Sequence, residues 1–257
     1  MSARTTHKTF AVVLHSLDYG ESDRIVTFYT ADFGKLKGIA KGARRSRRRF
    51  VNALEPFCYS QIIFSRKSLD MLALIESCDV VHHYPKIRGD LEKTLIASSV
   101  IELVEAFTTE GKANDRLFET LQDFLRLLDE GEKREGLLPF FTMRLLKLTG
   151  YEPALDRCLH CKASIGGGEP YRFSPGRGGL LCRSCYGSAS DAFPVSLGTI
   201  KTLLLGKDIA PEKIGRVVFS TRSILECEQI LNRFVAYLLG KELKSVAVAN
   251  EIRKMGL

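Results

Sequence analysis

The first eighty or so residues alternate between apolar and polar positions with the period of two that is typical of β-strands. This pattern predicts strands at residues 9–17, 23–30, 35–41, 56–65 and 69–80. Turn-forming segments that contain Gly, Asp, Ser or a run of Arg separate them. Five strands in a segment of this size match an OB-type barrel, but an SH3-like barrel has similar statistics. The pattern alone therefore predicts a small β domain and leaves its topology open.

After residue 81 the apolar period changes to that of amphipathic helices. Apolar stripes predict helices that include residues 117–128, 138–148 and 224–238, and residues 86–110 and 196–205 also have helical character. The last stripe is expected to begin at a capping box formed by Ser223 and Glu226 and to end at Gly240. We therefore expect an α+β protein, with a barrel domain at 1–81 and one all-helical domain at 82–257.

Two Cys-x-x-Cys pairs interrupt the helical part of the chain. They consist of Cys158, Cys161, Cys182 and Cys185. Pairs with this separation are typical of a zinc ribbon, and four thiolate ligands leave no open coordination position for chemistry. We predict one structural Zn²⁺ in a ribbon inserted at about 154–190. His160 is an alternative ligand, and redox use of the thiols is the competing interpretation. The remaining cysteines, Cys58, Cys78 and Cys227, lie among apolar residues and are expected in the core.

The beginning of the chain lacks the apolar segment of a secretory signal, and no apolar run is long enough to span a bilayer. We therefore expect a cytoplasmic protein that does not associate with membranes. Disulfides rarely persist in that compartment, which favours the metal interpretation of the cysteines.

Positive charge is concentrated in one segment of a chain whose net charge is +8. No acidic residue occurs between Asp32 and Glu55. Alternation along the predicted third strand places Lys35, Lys37 and Lys41 on one face, and the loop that follows carries Arg44, Arg45, Arg47, Arg48 and Arg49. Basic groups spaced in this way can neutralise successive phosphates and release counterions. We predict that these lysines and arginines bind nucleic acid; a solvated basic loop is the alternative.

Aromatic residues near this segment are candidates to stack on unpaired bases if their rings are exposed. They are Phe28, Tyr29, Phe33, Phe50, Phe57 and Tyr59. Core positions for all of them are the competing interpretation.

Motifs for catalysis are missing from the sequence. It contains no phosphate-binding loop of the Gly-x-x-x-x-Gly-Lys type, no Gly-x-Gly-x-x-Gly and no His-Glu-x-x-His. The acids Asp18, Glu21 and Asp23 are candidates for a nuclease magnesium site, but carboxylates in such a segment more often stabilise a turn. A binding protein is therefore favoured over an enzyme.

Several segments resemble bacterial RecO proteins. In the N-terminal half these are YGESDRIVT at 19–27, GKL at 34–36, AKGARR at 40–45, and Phe50. Downstream, LLKLTGYEP at 145–153 and GLLC at 179–182 are similar to the helical and zinc segments of that family. The resemblance covers nearly the whole chain in the same order. Two local departures are Lys162, where zinc knuckles often carry glycine, and a basic loop that is richer in arginine than usual.

The resemblance implies an N-terminal OB-fold, a helical domain with a zinc ribbon, and a role as a recombination mediator of the RecF pathway. Such proteins bind single- and double-stranded DNA and anneal complementary strands. With RecR they help RecA to replace single-strand-binding protein, whose C-terminal tail they contact. A nucleoid-associated protein without enzymatic activity is therefore expected. The alternative is an OB-fold RNA-binding protein with a structural zinc ribbon.

Overall fold

The computed structural model describes residues 5–46, 48–68, 71–131, 136–166, 170–217 and 219–255. The chain forms two compact units, Met1–Glu130 and Gly131–Leu257. Among the described helices, none is both long and apolar enough to cross a bilayer.

The first unit contains a closed five-stranded barrel. Its strands are β1 (Thr5–Tyr19), β2 (Asp23–Thr30), β3 (Gly34–Ala40), β4 (Tyr59–Arg66) and β5 (Ala73–His82). They are ordered β1-β2-β3-β5-β4, and β3 and β5 are the parallel pair. This is the OB topology, which decides between the two barrels that the sequence pattern allowed.

All five predicted strands are present, but β4 begins at Tyr59 and not at residue 56. Phe57 has a φ of 73°, which lies in the left-handed region and cannot continue a strand. The predicted start of β5 at 69 falls on residues outside the described ranges, and the strand itself begins at Ala73.

Alternation along β3 separates the barrel interior from its outer face. Leu36, Gly38 and Ala40 are buried, whereas Lys37 is exposed. Gly38 lies opposite Ala73 in the short β3–β5 ladder. A Cβ atom at Gly38 would lie 2.5 Å from the Ile75 Cδ1 atom and 2.9 Å from the Ala73 carbonyl oxygen. The barrel therefore closes at a position where only glycine fits without a shift of its neighbours.

Among the described residues, three α-helices belong to the same compact unit as the barrel: α1 (Pro85–Arg88), α2 (Leu91–Phe107) and α3 (Asp115–Glu130). The ring of Phe118 on α3 lies 6.3 Å from that of Tyr29 and 6.4 Å from that of Tyr59. The division between the compact units thus falls after Glu130, and the domain boundary at 81/82 stays a prediction. An amphipathic stripe shows that a helix buries one face, but it does not identify the surface that covers this face.

The second unit combines helices with a small sheet. Its helices are α4 (Leu137–Thr149), α5 (Leu197–Gly206), α6 (Thr221–Leu239) and α7 (Lys244–Lys254). The strands β6 (Ala154–Cys158), β7 (Tyr171–Ser174), β8 (Gly179–Leu181) and β9 (Phe193–Val195) form a sheet in the order β6-β8-β7-β9. The buried ring of Phe173 packs edge-on against Phe234 of α6, at 5.8 Å between centroids.

The predicted end of α6 at Gly240 is confirmed, but its predicted capping box is wrong. The N-cap is Ser220, whose side chain accepts a hydrogen bond from the Ser223 amide. Glu226 instead accepts hydrogen bonds from the Ser196 amide at 2.9 Å and the Thr199 hydroxyl at 2.8 Å. This carboxylate therefore joins α6 to the first turn of α5.

Candidate nucleic-acid interface and metal centre

The three lysines predicted on one strand face have different surroundings. Lys35 is half-buried, and its Nζ atom donates a 2.7 Å hydrogen bond to the Glu105 carbonyl oxygen of α2. Lys37 and Lys41 are exposed. Lys35 is therefore engaged in fixing α2 to the barrel, and the other two amines face solvent beside the basic loop.

The loop after β3 is fastened to the turn between β1 and β2. The Gly42 amide donates to Asp23 Oδ1 at 2.8 Å, and the Arg44 amide donates to the Ser22 carbonyl oxygen at 2.9 Å. The hydrogen bond from Gly42 is the main cause that lowers the pKa of Asp23. A short 3-10 helix, Ala43–Arg45, begins directly after Gly42. The first arginines of the loop are therefore held in place by backbone contacts.

Acidic residues of the β1–β2 turn also contact these arginine side chains. Arg44 Nε lies 3.4 Å from Asp18 Oδ2, and an Arg45 guanidinium nitrogen lies 3.7 Å from Glu21 Oε2. Asp18 also pairs with Arg24 at 3.1 Å. These side chains are all partly or largely exposed, so each pair contributes only about 0.2–1 kcal/mol.

The remaining arginines of the loop, Arg47 to Arg49, differ from Arg44 and Arg45 in their contacts. The Arg49 guanidinium donates to the Lys41 carbonyl oxygen at 3.0 Å and lies 5.0 Å from the centre of the Phe50 ring. Arg48 is exposed and makes no side-chain ion pair or hydrogen bond with the described part of the chain. Arg47 lies outside the described residues.

The three acids that were candidate ligands of a nuclease magnesium ion make hydrogen bonds and ion pairs at the β1–β2 turn instead. Asp23 is hydrogen-bonded to Ser22 and Gly42, and Asp18 and Glu21 contact arginines. Within the described ranges, the four cysteines are the one group of His, Cys, Asp or Glu side chains that could hold a metal ion. The geometry matches the turn interpretation of these acids.

Most of the aromatic residues proposed for stacking belong to the core. Phe28, Tyr29, Phe50 and Phe57 are at most 6% exposed. Phe33 packs against His7 and Phe64, and Tyr59 packs against Phe10 and Phe118. Sequence reasoning missed Tyr19, which is 56% exposed at the end of β1. The signal for it was its position beside Gly20, which has a positive φ of 60° in the turn between β1 and β2.

The second unit brings the four cysteines of the two pairs together. Their sulfur atoms all lie within 4.8 Å of one another, and the Cys161 and Cys182 sulfurs are 3.7 Å apart. A tetrahedral zinc site with Zn–S bonds of about 2.3 Å has sulfur–sulfur edges of about 3.8 Å. The cluster therefore fits a four-thiolate metal ion. Cys58, Cys78 and Cys227 are buried elsewhere, as predicted.

The first knuckle tolerates Lys162 where glycine is common. Lys162 has a φ of 62°, and its amide donates to the Cys158 carbonyl oxygen at 3.0 Å. A non-glycine residue in this region costs about 1–2 kcal/mol, so the residue type does not prevent the turn. His160 lies at the edge of the cluster, with Nδ1 3.7 Å from the Cys185 sulfur.

The thiols of the cluster differ in acidity. Burial raises the pKa of Cys158, but hydrogen bonds from the Cys182, Cys161 and His160 amides outweigh it and lower the pKa to about 6. The neighbouring Cys182 thiol is the main cause that raises the pKa of Cys185 to about 12. Thiolates packed this closely repel one another, so a dication is the natural counter-charge for all four.

Comparison with known proteins covers both units. The family model described as Recombination protein O N terminal matches residues 1–84, and the one described as Recombination protein O C terminal matches residues 88–247. The DNA repair protein RecO of Syntrophus aciditrophicus (strain SB) is 53% identical over 259 residues, which cover 100% of both chains. The DNA repair protein RecO of Geobacter metallireducens is 37% identical over 245 residues, which cover 95% of this chain and 97% of the relative. A basic OB-fold barrel, a four-cysteine cluster and these full-length similarities agree: the chain belongs to the RecO family of DNA repair proteins.

Proposed function

We propose that this protein is a recombination mediator that binds single- and double-stranded DNA and anneals complementary strands. With RecR it helps RecA to replace single-strand-binding protein on DNA. The observation that supports DNA contact best is the exposed basic surface formed by β3 and the loop after it. We call the exposed members of this set, Lys37, Lys41, Arg44, Arg45, Arg48 and Arg49, the basic surface.

The basic surface can act on phosphates without reading sequence. Lys37 projects from the outer face of β3, and Lys41 and the arginines continue from the end of that strand. Two complementary strands repel each other through their phosphates, and each cation held near both strands reduces that repulsion. Annealing is then accelerated by neutralisation, while base pairing supplies the specificity.

Asp18 and Glu21 have a defined role in this proposal. The backbone hydrogen bonds of Gly42 and Arg44 fix the start of the loop before DNA arrives, and the two carboxylates keep the Arg44 and Arg45 side chains weakly associated with the turn. Because the ion pairs are exposed and weak, a phosphate can replace a carboxylate at little cost.

The second unit supplies the metal centre and the remaining contacts. Cys158, Cys161, Cys182 and Cys185 would hold one Zn²⁺, which fixes the ribbon and leaves no coordination position for a reaction. We propose that the helices receive the C-terminal tail of single-strand-binding protein, that RecR binds a separate surface, and that RecA is reached indirectly. A protein with these ligands would be found with the nucleoid.

The test is annealing of complementary DNA strands coated with single-strand-binding protein. The variant Lys37→Ala/Lys41→Ala/Arg48→Ala removes three exposed charges from the basic surface. The matched control Lys86→Ala/Lys112→Ala/Arg116→Ala removes three exposed charges elsewhere in the first unit. We expect the first variant to lose annealing and the control to retain it. The slope of log affinity for duplex DNA against log salt should fall by about 2–3 in the first variant only.

Two results would contradict the proposal. Equal annealing by the two variants would place the DNA surface elsewhere. Absence of annealing by the parent protein, together with tighter binding of RNA than of DNA at the same salt concentration, would favour the RNA-binding alternative.

A further inference from the structure

The outer face of β1, β2 and β3 contains an apolar row next to the basic surface, in which Leu17 is exposed and Ile25 and Ile39 are half-buried. In the ladders, Leu17 lies opposite Ile25, and Ile25 lies opposite Ile39. Opposed residues of an antiparallel ladder project from the same face of a sheet, and residues two positions apart on a strand share that face. Tyr19 therefore lies on the same face as Leu17, and Lys37 on the same face as Ile39.

Tyr19 and Leu17 remain accessible on this face. Their exposed fractions are 56% and 55%. The Tyr19 side chain makes no hydrogen bond or ring contact with the described residues. Phe10 is the other exposed Phe or Tyr among this unit's described residues, and it already packs against Tyr59 at 5.6 Å between ring centroids. Tyr19 thus presents a ring without such a contact at the end of β1. The residues that follow include Ser22 and Asp23, which accept hydrogen bonds from the loop after β3.

Charge alone does not let a surface distinguish paired from unpaired DNA. Lysine and arginine contact phosphates, which both forms present. An aromatic ring gains its contact energy from the flat face of a base, which is accessible when the base is unpaired and unstacked. An exposed aromatic and aliphatic pair beside a row of cations therefore matches the chemistry of a single strand.

We propose that Tyr19 stacks on an unpaired base while Leu17 contacts the neighbouring base or sugar. This pair would make the basic surface selective for single strands, and the inference rests on the function proposed above. With phosphates held at Lys37 and the loop, bases would lie over the outer face of β1. A strand bound in this way keeps its other bases free to pair with a complement.

The first experiment uses the absence of tryptophan from the chain. Tyr19→Trp introduces a single indole into the proposed platform, and Tyr237→Trp is the matched control, because Tyr237 is 58% exposed and lies in the second unit. We expect an unpaired oligonucleotide to quench the fluorescence of the first variant and to leave the control unchanged. Unaltered emission from the first variant at saturating oligonucleotide would overturn the proposal.

The second experiment separates stacking from general affinity. Tyr19→Ala should weaken binding of a single strand by about 5- to 150-fold, the range expected for loss of one stacked base. Binding of duplex DNA should change by no more than about twofold, and Tyr19→Phe should bind both forms as the parent does. Parent-like binding of the single strand by a folded Tyr19→Ala variant, or equal losses for both DNA forms, would overturn the proposal. The annealing test with the lysine and arginine variant decides the proposed function separately, because that variant keeps Tyr19.

Discussion

Closure of the barrel at Gly38 gives the sharpest stability prediction, because the available space there is known atom by atom. Replacement by alanine would place a Cβ atom 2.5 Å from Ile75 Cδ1, 2.8 Å from Ile75 Cγ1 and 2.9 Å from the Ala73 carbonyl oxygen. Van der Waals contact needs roughly 3.5–4.0 Å between carbon atoms. The Ile75 side chain can rotate to some extent, but the Ala73 oxygen belongs to the partner strand.

The expected loss of stability follows from the small number of residue pairs that join β3 to β5. The β3–β5 ladder has two registered pairs, Gly38 with Ala73 and Ile39 with Leu74, so a shift at Gly38 disturbs half of it. Overpacking of a close-packed core costs about 1–3 kcal/mol, and the backbone contact places Gly38→Ala near the upper end. A loss of about 2–3 kcal/mol should lower the melting temperature of a unit of this size by about 10 °C.

The assay is thermal unfolding followed by circular dichroism, with hydrogen exchange assigning the affected transition to β3 and β5. Gly89→Ala serves as the control in the same unit, since a Cβ there meets only the Pro85 carbonyl oxygen at 3.5 Å. Adding Ile75→Val to Gly38→Ala removes the atom of closest contact and should recover part of the loss. A melting temperature of Gly38→Ala equal to that of the Gly89→Ala control would refute the reasoning.

Two further predictions concern the second unit. Burial raises the pKa of Glu226, but hydrogen bonds from Ser196, Arg222 and Thr199 outweigh it and lower the pKa from 4.5 to about 2. The ionised carboxylate therefore stabilises the fold above pH 4.5, and about 2–3 kcal/mol should be lost as the pH falls towards 2. In urea unfolding measured at several pH values, the Glu226→Gln variant should lose less stability than the parent between pH 4.5 and 2. An equal loss in both proteins would contradict the role of the Glu226 carboxylate. Elemental analysis should find about one zinc ion per parent chain and much less in the Cys161→Ser variant. The ribbon of this variant should become sensitive to proteolysis. Its affinity for duplex DNA should differ from that of the parent by less than about twofold. A parent protein purified without zinc, or a Cys161→Ser variant that binds no DNA, would contradict this view of the ribbon.

Local patterns predicted the elements well wherever one face of an element is buried. The alternation of Leu36, Gly38 and Ala40 with Lys35 and Lys37 is the β3 pattern that the structure confirms. Helix ends at Gly150 and Gly240 could also be read directly, because both residues adopt positive φ angles of 84° and 68° that favour glycine. The capping box at Ser223 was wrong because Glu226 finds its hydrogen-bond partners on α5, which a local motif cannot anticipate.

For the candidate site residues too, local spacing could be predicted from the sequence, whereas contacts with distant parts of the chain could not. The two Cys-x-x-Cys pairs predicted the four-cysteine cluster that could hold a metal ion, since each pair places two sulfur atoms within one turn. The lysine pattern identified a basic strand face, but it could not show that Lys35 bonds to a carbonyl oxygen some seventy residues away in sequence. Aromatic residues were the least predictable group, because composition does not tell a core ring such as Phe28 from an exposed one such as Tyr19.

The sequence by itself thus determined the barrel strands, the main amphipathic helices, the pairing of the four cysteines and the location of the positive charge. These properties depend on residue types and on spacings within a turn or a strand. Only the tertiary structure decided that the barrel closes through β3 and β5, that α1 to α3 belong with the barrel, and which basic and aromatic side chains face solvent. Such properties arise from contacts between residues far apart in the chain, and no local pattern records which surfaces those contacts will cover.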